Sequence, residues 1–106
     1  YGNRISGHFV QGHVDTTSTI KTIDFVGKSW FINFKLLKRY KKYLVQKGSI
    51  TINGVSLTIS KILKNGFQVV VIPQTLKLTN LIYLKEKDVV NVEFDVLGKY
   101  IKSFLK

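Results

Sequence analysis

Along most of this chain, apolar and polar positions alternate every second residue, which puts one face of an extended segment inside and the other in water. Residues 89–96 show it most plainly: Val90, Val92, Phe94 and Val96 alternate with Asn91, Glu93 and Asp95. Residues 29–36 alternate in part, through Trp30, Ile32 and Phe34, and residues 17–25 are rich in β-branched side chains up to Gly27. Segments 49–52 and 55–63 flank Asn53-Gly54, a turn pair in which both residues tolerate positive φ. Asn65-Gly66 repeats that signal ahead of a strand over 67–72. Six short strands joined by tight turns predict an all-β fold, a small closed barrel rather than a sandwich. Phe31, Phe34 and Phe94, with Phe9 nearer the start, are expected to fill its core.

Two segments depart from the period of two. Residues 36–45 place Leu36, Leu37, Tyr40 and Leu44 on one helical face and Lys38, Arg39, Lys41 and Lys42 elsewhere, which predicts a short surface helix with a solvated basic side. Residues 97–106 carry Tyr100, Ile101 and Phe104 at helical spacing and predict a C-terminal helix. Pro73, the only proline, ends the strand before it, so the backbone groups of residues 70–75 are expected to be free of strand pairing. No internal repeat, linker or low-complexity tract stands out.

Composition narrows the picture. A chain of 106 residues supports one core and one domain. No apolar run approaches the length of a membrane-spanning helix, so no membrane partner is expected. The absence of cysteine excludes disulfides and thiolate metal sites and fits a cytoplasmic setting. Methionine is absent even at position 1, so Tyr1 is read as the cut edge of a longer chain. The net charge of +11 first suggests a nucleic-acid surface. Arginine, the residue of bidentate phosphate and base contacts, occurs only at Arg4 and Arg39, however, and alanine is absent. The excess is lysine, as in a proteome drifting toward AT-rich codons, and no nucleic-acid partner is expected.

Candidate chemistry begins with Gly7-His8-Phe9-Val10-Gln11-Gly12-His13-Val14-Asp15, which holds both histidines. Histidine moves protons near neutrality at low cost. The spacing of His8 and His13 sends them to opposite faces of a regular strand, so they meet one ligand only if Gly12 marks a bend. A zinc site built from His8, His13 and Asp15 lacks a fourth ligand and a familiar spacing. Farther on, Ser56 and Thr58 share one strand face and Leu57 takes the other. Two hydroxyls on a cavity wall can hold a polar ring or a sugar-like chain, and on a solvated face they are ordinary strand residues. No general base neighbours Ser56 in sequence, so a nucleophilic role is unsupported.

Taken in order, these stretches carry a resemblance. The glycine–histidine segment is followed by Lys47-Gly48-Ser49-Ile50, then Asn53-Gly54-Val55-Ser56-Leu57-Thr58, then Ile72-Pro73-Gln74-Thr75-Leu76 with Thr79-Asn80-Leu81. Val90-Asn91-Val92-Glu93-Phe94-Asp95 and Lys99-Tyr100 complete the series. In this order and spacing they closely resemble the second barrel of riboflavin synthase of the α-chain type. The resemblance implies a six-stranded Greek-key barrel over 1–96 and a C-terminal helix over 97–106, with the family's first barrel outside this sequence. It implies a cofactor-free dismutation of 6,7-dimethyl-8-ribityllumazine, run between barrels of neighbouring subunits in a homotrimer.

By position, the resemblance assigns substrate contacts to Gly12, His13 and Val14, to Ser56, Leu57 and Thr58, and to Val70, Val71, Ile72, Pro73, Gln74 and Thr75. Lys47 matches a lysine that reaches the ligand of an adjacent subunit. His8 and His13 match histidines proposed to assist proton transfer or to shape the site. Three positions depart from the family pattern: Ser6 and Thr16 stand where glycine is usual, and Gln74 where His or Glu is frequent. The resemblance also leaves open a non-catalytic lumazine- or flavin-binding relative of the same fold.

Overall fold

A computed structural model, which describes residues 13–95, turns the predicted alternation into six strands. They are β1 (Thr16–Val26), β2 (Ser29–Lys35), β3 (Ser49–Ile52), β4 (Val55–Leu63), β5 (Gly66–Val71) and β6 (Val89–Phe94). All neighbours are antiparallel, and the ring order β1-β2-β5-β4-β3-β6 closes on itself. Closure leaves no strand as a lone edge along its whole length. The two long connections, from β2 to β3 and from β5 to β6, pass over intervening strands, as a Greek key requires. Inward positions are almost wholly aliphatic or aromatic: Ile20, Ile32, Phe34, Ile50, Ile52, Ile59, Phe67, Val69, Val71, Val90 and Val92 are buried. Phe34 and Phe67, paired across β2 and β5, stack at 4.8 Å.

Three expectations need correction. Phe34 and Phe94 lie in the core as expected, but Phe31 alternates to the outside of β2 and is only half-buried. The helix foreseen over 36–45 is a 3-10 helix, Lys38–Tyr43, whose own residues are not buried. The flanking Leu36 and Leu44 are buried, whereas Leu37 is 59 % exposed, because three residues per turn do not align the four apolar positions. The Asn53-Gly54 turn forms as foreseen, with φ of 48° and 86°. The second hairpin turns at Lys64-Asn65 instead, and Gly66 opens β5. There a Cβ would lie 1.7 Å from the Phe34 carbonyl oxygen, so glycine is required by close approach and not by the turn. The expected C-terminal helix and Phe9 lie outside the described residues.

The chain also repeats itself in conformation. A rotation that exchanges β1-β2-β3 with β4-β5-β6 returns the same ring order. In one half the Ile59 N–H donates to the Gly48 carbonyl (2.8 Å) and the Lys47 N–H to the Ile59 carbonyl (2.9 Å). In the other, the Ile20 N–H donates to the Asp88 carbonyl (2.9 Å) and the Lys87 N–H to the Ile20 carbonyl (2.8 Å). Each isoleucine precedes a register slip, and Lys47 and Lys87 share a left-handed backbone, with φ of 71° and 77°. Only scattered identities such as Tyr43 with Tyr83 and Leu44 with Leu84 survive between the halves, which hides the repeat from a sequence reading.

The tight approach at Gly66 makes the core testable. Gly66→Ala should cost about 3 kcal/mol or more, because backbone must move to admit one methyl group. Urea unfolding measures it, and a loss below about 1 kcal/mol would show that β2 and β5 can separate freely at this point.

Candidate functional site

The two halves differ where their hairpins meet the rest of the ring. Between β1 and β2 the ladder runs on past the bulge through Ile20–Phe34 to Thr19–Lys35, and the buried Ser18 hydroxyl donates to the Lys35 carbonyl. Between β4 and β5 it stops at Ile59–Val69. Past that point β4 pairs only with β3, through Thr58–Ser49, Leu57–Ile50, Ser56–Thr51 and Val55–Ile52. β5 pairs only with β2, through Val70–Phe31 and Val71–Trp30. The expectation that residues 70–75 leave strand pairing altogether is thus half right: Val70 and Val71 are paired on one side and part from β4 on the other.

Antiparallel strands alternate the direction of their peptide groups. Ile59 spends its N–H and C=O on Gly48 and Lys47, so those of Thr58 and Ser56 aim the opposite way, toward β5. On β5, the Asn65 carbonyl takes the Leu36 N–H, which sets residues 65, 67, 69 and 71 toward β2 and aims Val70 and Ile72 toward β4. Beyond the level of Thr58 and Val70, which flank the last pair Ile59–Val69, the peptide groups of β4 and β5 face each other outside the ladder. The side chains of Ser56 and Thr58 are exposed on the outer surface, and Leu57 and Val71 are buried in the core behind them.

The end of the cleft is built by an element that sequence reasoning missed. Ile72 is extended and 52 % exposed, and Pro73 opens a short helix, α1 (Pro73–Leu78). Proline is pre-set for the first helical position, where its missing N–H has no partner to lose. The Leu76 N–H donates to the Ile72 carbonyl, and the Thr79 hydroxyl donates to the Thr75 carbonyl at 2.7 Å. Gln74 is exposed and Thr75 half-buried in that first turn. Thr79 then accepts the Leu81 N–H and caps a 3-10 helix, Asn80–Tyr83. The extended Ile72 before Pro73, with Thr79-Asn80 after it, was the available signal.

Lys47 sits at the same end. Its N–H holds the Ile59 carbonyl, its side chain is exposed, and the following Gly48 closes a turn onto the Val45 carbonyl at 2.8 Å. A Cβ on Gly48 would lie 2.9 Å from that carbonyl oxygen. The structure thus sets Ser56, Thr58, Val70, Ile72 and the start of α1 along one gap, and Lys47 on the other side of β4, bonded to Ile59. His13 and Val14 are exposed at the entry to β1 and lie elsewhere on the rim. The rows Thr16–Val92–Ile52–Val55 and Phe94–Ile50–Leu57 set that entry three strands from β4, about 14 Å along the sheet. His8 and Gly12 lie outside the described residues.

Asp15 fixes the entry: its N–H donates to the Val92 carbonyl and its carboxylate accepts the Phe94 N–H at 2.8 Å. Tyr40 and Tyr43 pack on the Phe94 ring, at 5.6 and 5.3 Å between centroids. The side chain of Arg39 donates to the Tyr40 hydroxyl and holds its pKa below the ordinary phenol value, with a hydrogen bond to Thr16 acting the same way. Among the described residues, no group of three His, Cys, Asp or Glu side chains could hold a metal ion.

Two substitutions test this local reading. Lys47→Gly should raise unfolding stability by about 1 kcal/mol, since glycine adopts the left-handed backbone without a Cβ penalty. Gln46→Gly, at a position without positive φ, should lower it instead. Arg39→Leu should raise the pH at which Tyr40 ionises, followed through the ring carbon resonance that bears its hydroxyl. An unchanged titration would remove Arg39 as the cause.

Comparison with known proteins places this cleft in a family. Residues 11–95 match the model of the lumazine binding domain. A riboflavin synthase of Actinobacillus pleuropneumoniae is 42% identical over 102 residues, which are 96% of this chain and 47% of that protein. One of Bacillus subtilis is 40% identical over 105 residues, again 96% of this chain and 47% of its own length. The chain thus spans about half the length of these curated relatives. Among solved structures, LumP with riboflavin bound superposes with a TM-score of 0.72 at 26% identity, covering 81% of this chain and 47% of that one. LumP with flavin mononucleotide gives a TM-score of 0.75 at 24% identity over 81% of this chain and 49% of that one. The match across nearly all of the barrel, cleft included, makes the chain a member of the lumazine-binding domain family.

Proposed function

We propose that this chain is the second barrel of a riboflavin synthase, with residues 97–106 forming a C-terminal helix. The parted strands β4 and β5 carry this reading, because they set facing peptide groups beside the Ser56 and Thr58 hydroxyls. A planar heterocycle with donor and acceptor edges can pair with such rows, and hydroxyls beside them suit a ribityl chain. In the proposed site one molecule of 6,7-dimethyl-8-ribityllumazine lies against Ser56, Thr58, Val70, Ile72, Pro73, Gln74 and Thr75. Leu57 and Val71 support it from the core side.

The reaction joins two such molecules. One ring methyl loses a proton and becomes the nucleophilic carbon, and a four-carbon unit passes between the rings. The products are riboflavin and 5-amino-6-ribitylaminouracil. The protein's share is to hold the rings in register and to move a proton, with no cofactor required. Lys47 and the segment Gly12-His13-Val14 serve the ring presented by a neighbouring barrel of a homotrimer. His13, with His8, assists proton transfer or shapes that side. The separation of His13 from Thr58 along the rim suits a site for two rings better than a site for one. A cytoplasmic location fits a chain without cysteine.

A second reading has its own support. LumP, whose barrel has the same fold, has been solved with 6,7-dimethyl-8-(1'-D-ribityl) lumazine and with riboflavin, so a purely ligand-holding relative is a real alternative. The full-length protein that carries this chain separates the two when incubated with 6,7-dimethyl-8-ribityllumazine. Riboflavin should accumulate; tight binding without riboflavin would assign the ligand-holding role. His13→Gln should lower turnover at unchanged ligand affinity, and equal losses in both would make it a binding or folding residue. Thr58→Val should weaken lumazine binding about tenfold, as loss of a hydrogen-bonding hydroxyl does.

A further inference from the structure

The outer surface beside the cleft holds two features that neither the core nor the sequence resemblance uses. Phe31 is an outward-facing aromatic on β2, half-buried, and absent from the residues that pack against the core, although its neighbour Trp30 is among them. It is paired directly with Val70, the first β5 residue to part from β4. One step down the same surface runs a row of side-chain hydrogen bonds across all four strands of the two hairpins. The Ser60 hydroxyl donates to Gln68 Oε1 (2.8 Å), Gln68 Nε2 to Asn33 Oδ1 (3.0 Å), and Asn33 Nδ2 to Thr22 Oγ1 (2.9 Å). That row fixes which way the Gln68 amide points, with its oxygen toward β4 and its nitrogen toward β2.

We propose that the ligand surface extends across β5 onto β2, with Phe31 as its aromatic shoulder and Gln68 as its polar floor, for a planar heteroaromatic ring that carries an amide edge. The inference rests on the reading of the β4–β5 cleft as the lumazine site. Cross-strand partners stand close enough for Phe31 and Val70 to form one continuous apolar shelf. Two strand spacings carry that shelf about 10 Å from Phe31 to Thr58, room for a fused ring system. An aromatic at its edge contributes offset or edge-on ring contact. Below it, the Gln68 amide has one N–H and one oxygen lone pair beyond those its neighbours use, the complement of an amide edge. Ser60 and Asn33 position that amide and do not themselves need to touch the ligand. The ordinary alternative is that Phe31 merely covers a β-branched neighbour on an exposed sheet and that the amide row only ties the strands together.

Titration of 6,7-dimethyl-8-ribityllumazine by fluorescence anisotropy, with the full-length protein that carries this chain, separates these accounts. Phe31→Leu keeps apolar cover but loses the flat face, and should weaken binding about fivefold. Phe31→Tyr should restore wild-type affinity. Gln68→Leu should weaken binding about tenfold. The thermal midpoints of Phe31→Leu and Phe31→Tyr should stay near the wild type, which separates ligand contact from sheet stability. Should Phe31→Leu and Gln68→Leu bind within twofold of the wild type while Thr58→Val is weakened, the cleft reading stands and this extension is overturned. Should Thr58→Val bind like the wild type as well, both the cleft and its extension are wrong.

Discussion

Everything at this site depends on where one ladder ends: Ile59–Val69 is the last pair between β4 and β5, and beyond it β4 pairs only with β3 and β5 only with β2. At Ile59 the backbone of β4 gives its N–H and C=O to Gly48 and Lys47. The ladder with β5 ends one pair past the slip between Ile59 and Lys61, at Ile59–Val69. A regular strand would continue pairing toward Thr58–Val70 and beyond, and the barrel would be sealed. Instead, β4 passes entirely to β3 and β5 entirely to β2, each still fully supported on its other side. Neither strand becomes a lone edge, because each keeps its ladder on the other side.

The same device occurs twice in the fold, and the two ladders beyond it differ by one pair. In the first half, Ile20 bonds to Asp88 and Lys87 just as Ile59 bonds to Gly48 and Lys47. There the ladder runs on to Thr19–Lys35 and the Ser18 hydroxyl adds a bond to the Lys35 carbonyl. The corresponding position on β4 is Leu57, which has no hydroxyl to offer. The β1–β2 ladder runs one pair farther than the β4–β5 ladder, and beyond it β1 pairs only with β6, as β4 pairs only with β3.

Much of this was legible in the sequence, for reasons that can be named. Strands β3 and β4 coincide with their expected bounds because Asn53-Gly54 pins the register and alternation does the rest. Ser56 and Thr58 were placed on one face by period alone. Phe31 departs from its expected core place because position and not hydrophobicity sets its face: its neighbours Trp30 and Ile32 occupy the inward parity. The helix after Pro73 was missed because proline also ends strands, and six residues are too few to show a helical period. The turn at Lys64-Asn65 was shifted by one residue because Gly66 is demanded by the Phe34 carbonyl, a contact between strands distant in sequence. The parting of β4 from β5 had no local signature at all, since it is a property of pairing between strands.

Entry of the ligand into the gap where β4 and β5 separate can be followed through backbone amide resonances while 6,7-dimethyl-8-ribityllumazine is added to the full-length protein. The amides of Ser56, Thr58, Val70 and Ile72 should shift together and saturably, while those of the paired Ile62 and Phe67 below the bulge hold still. Shifts confined to the basic 3-10 helix Lys38–Tyr43, or spread evenly over the barrel, would contradict entry there.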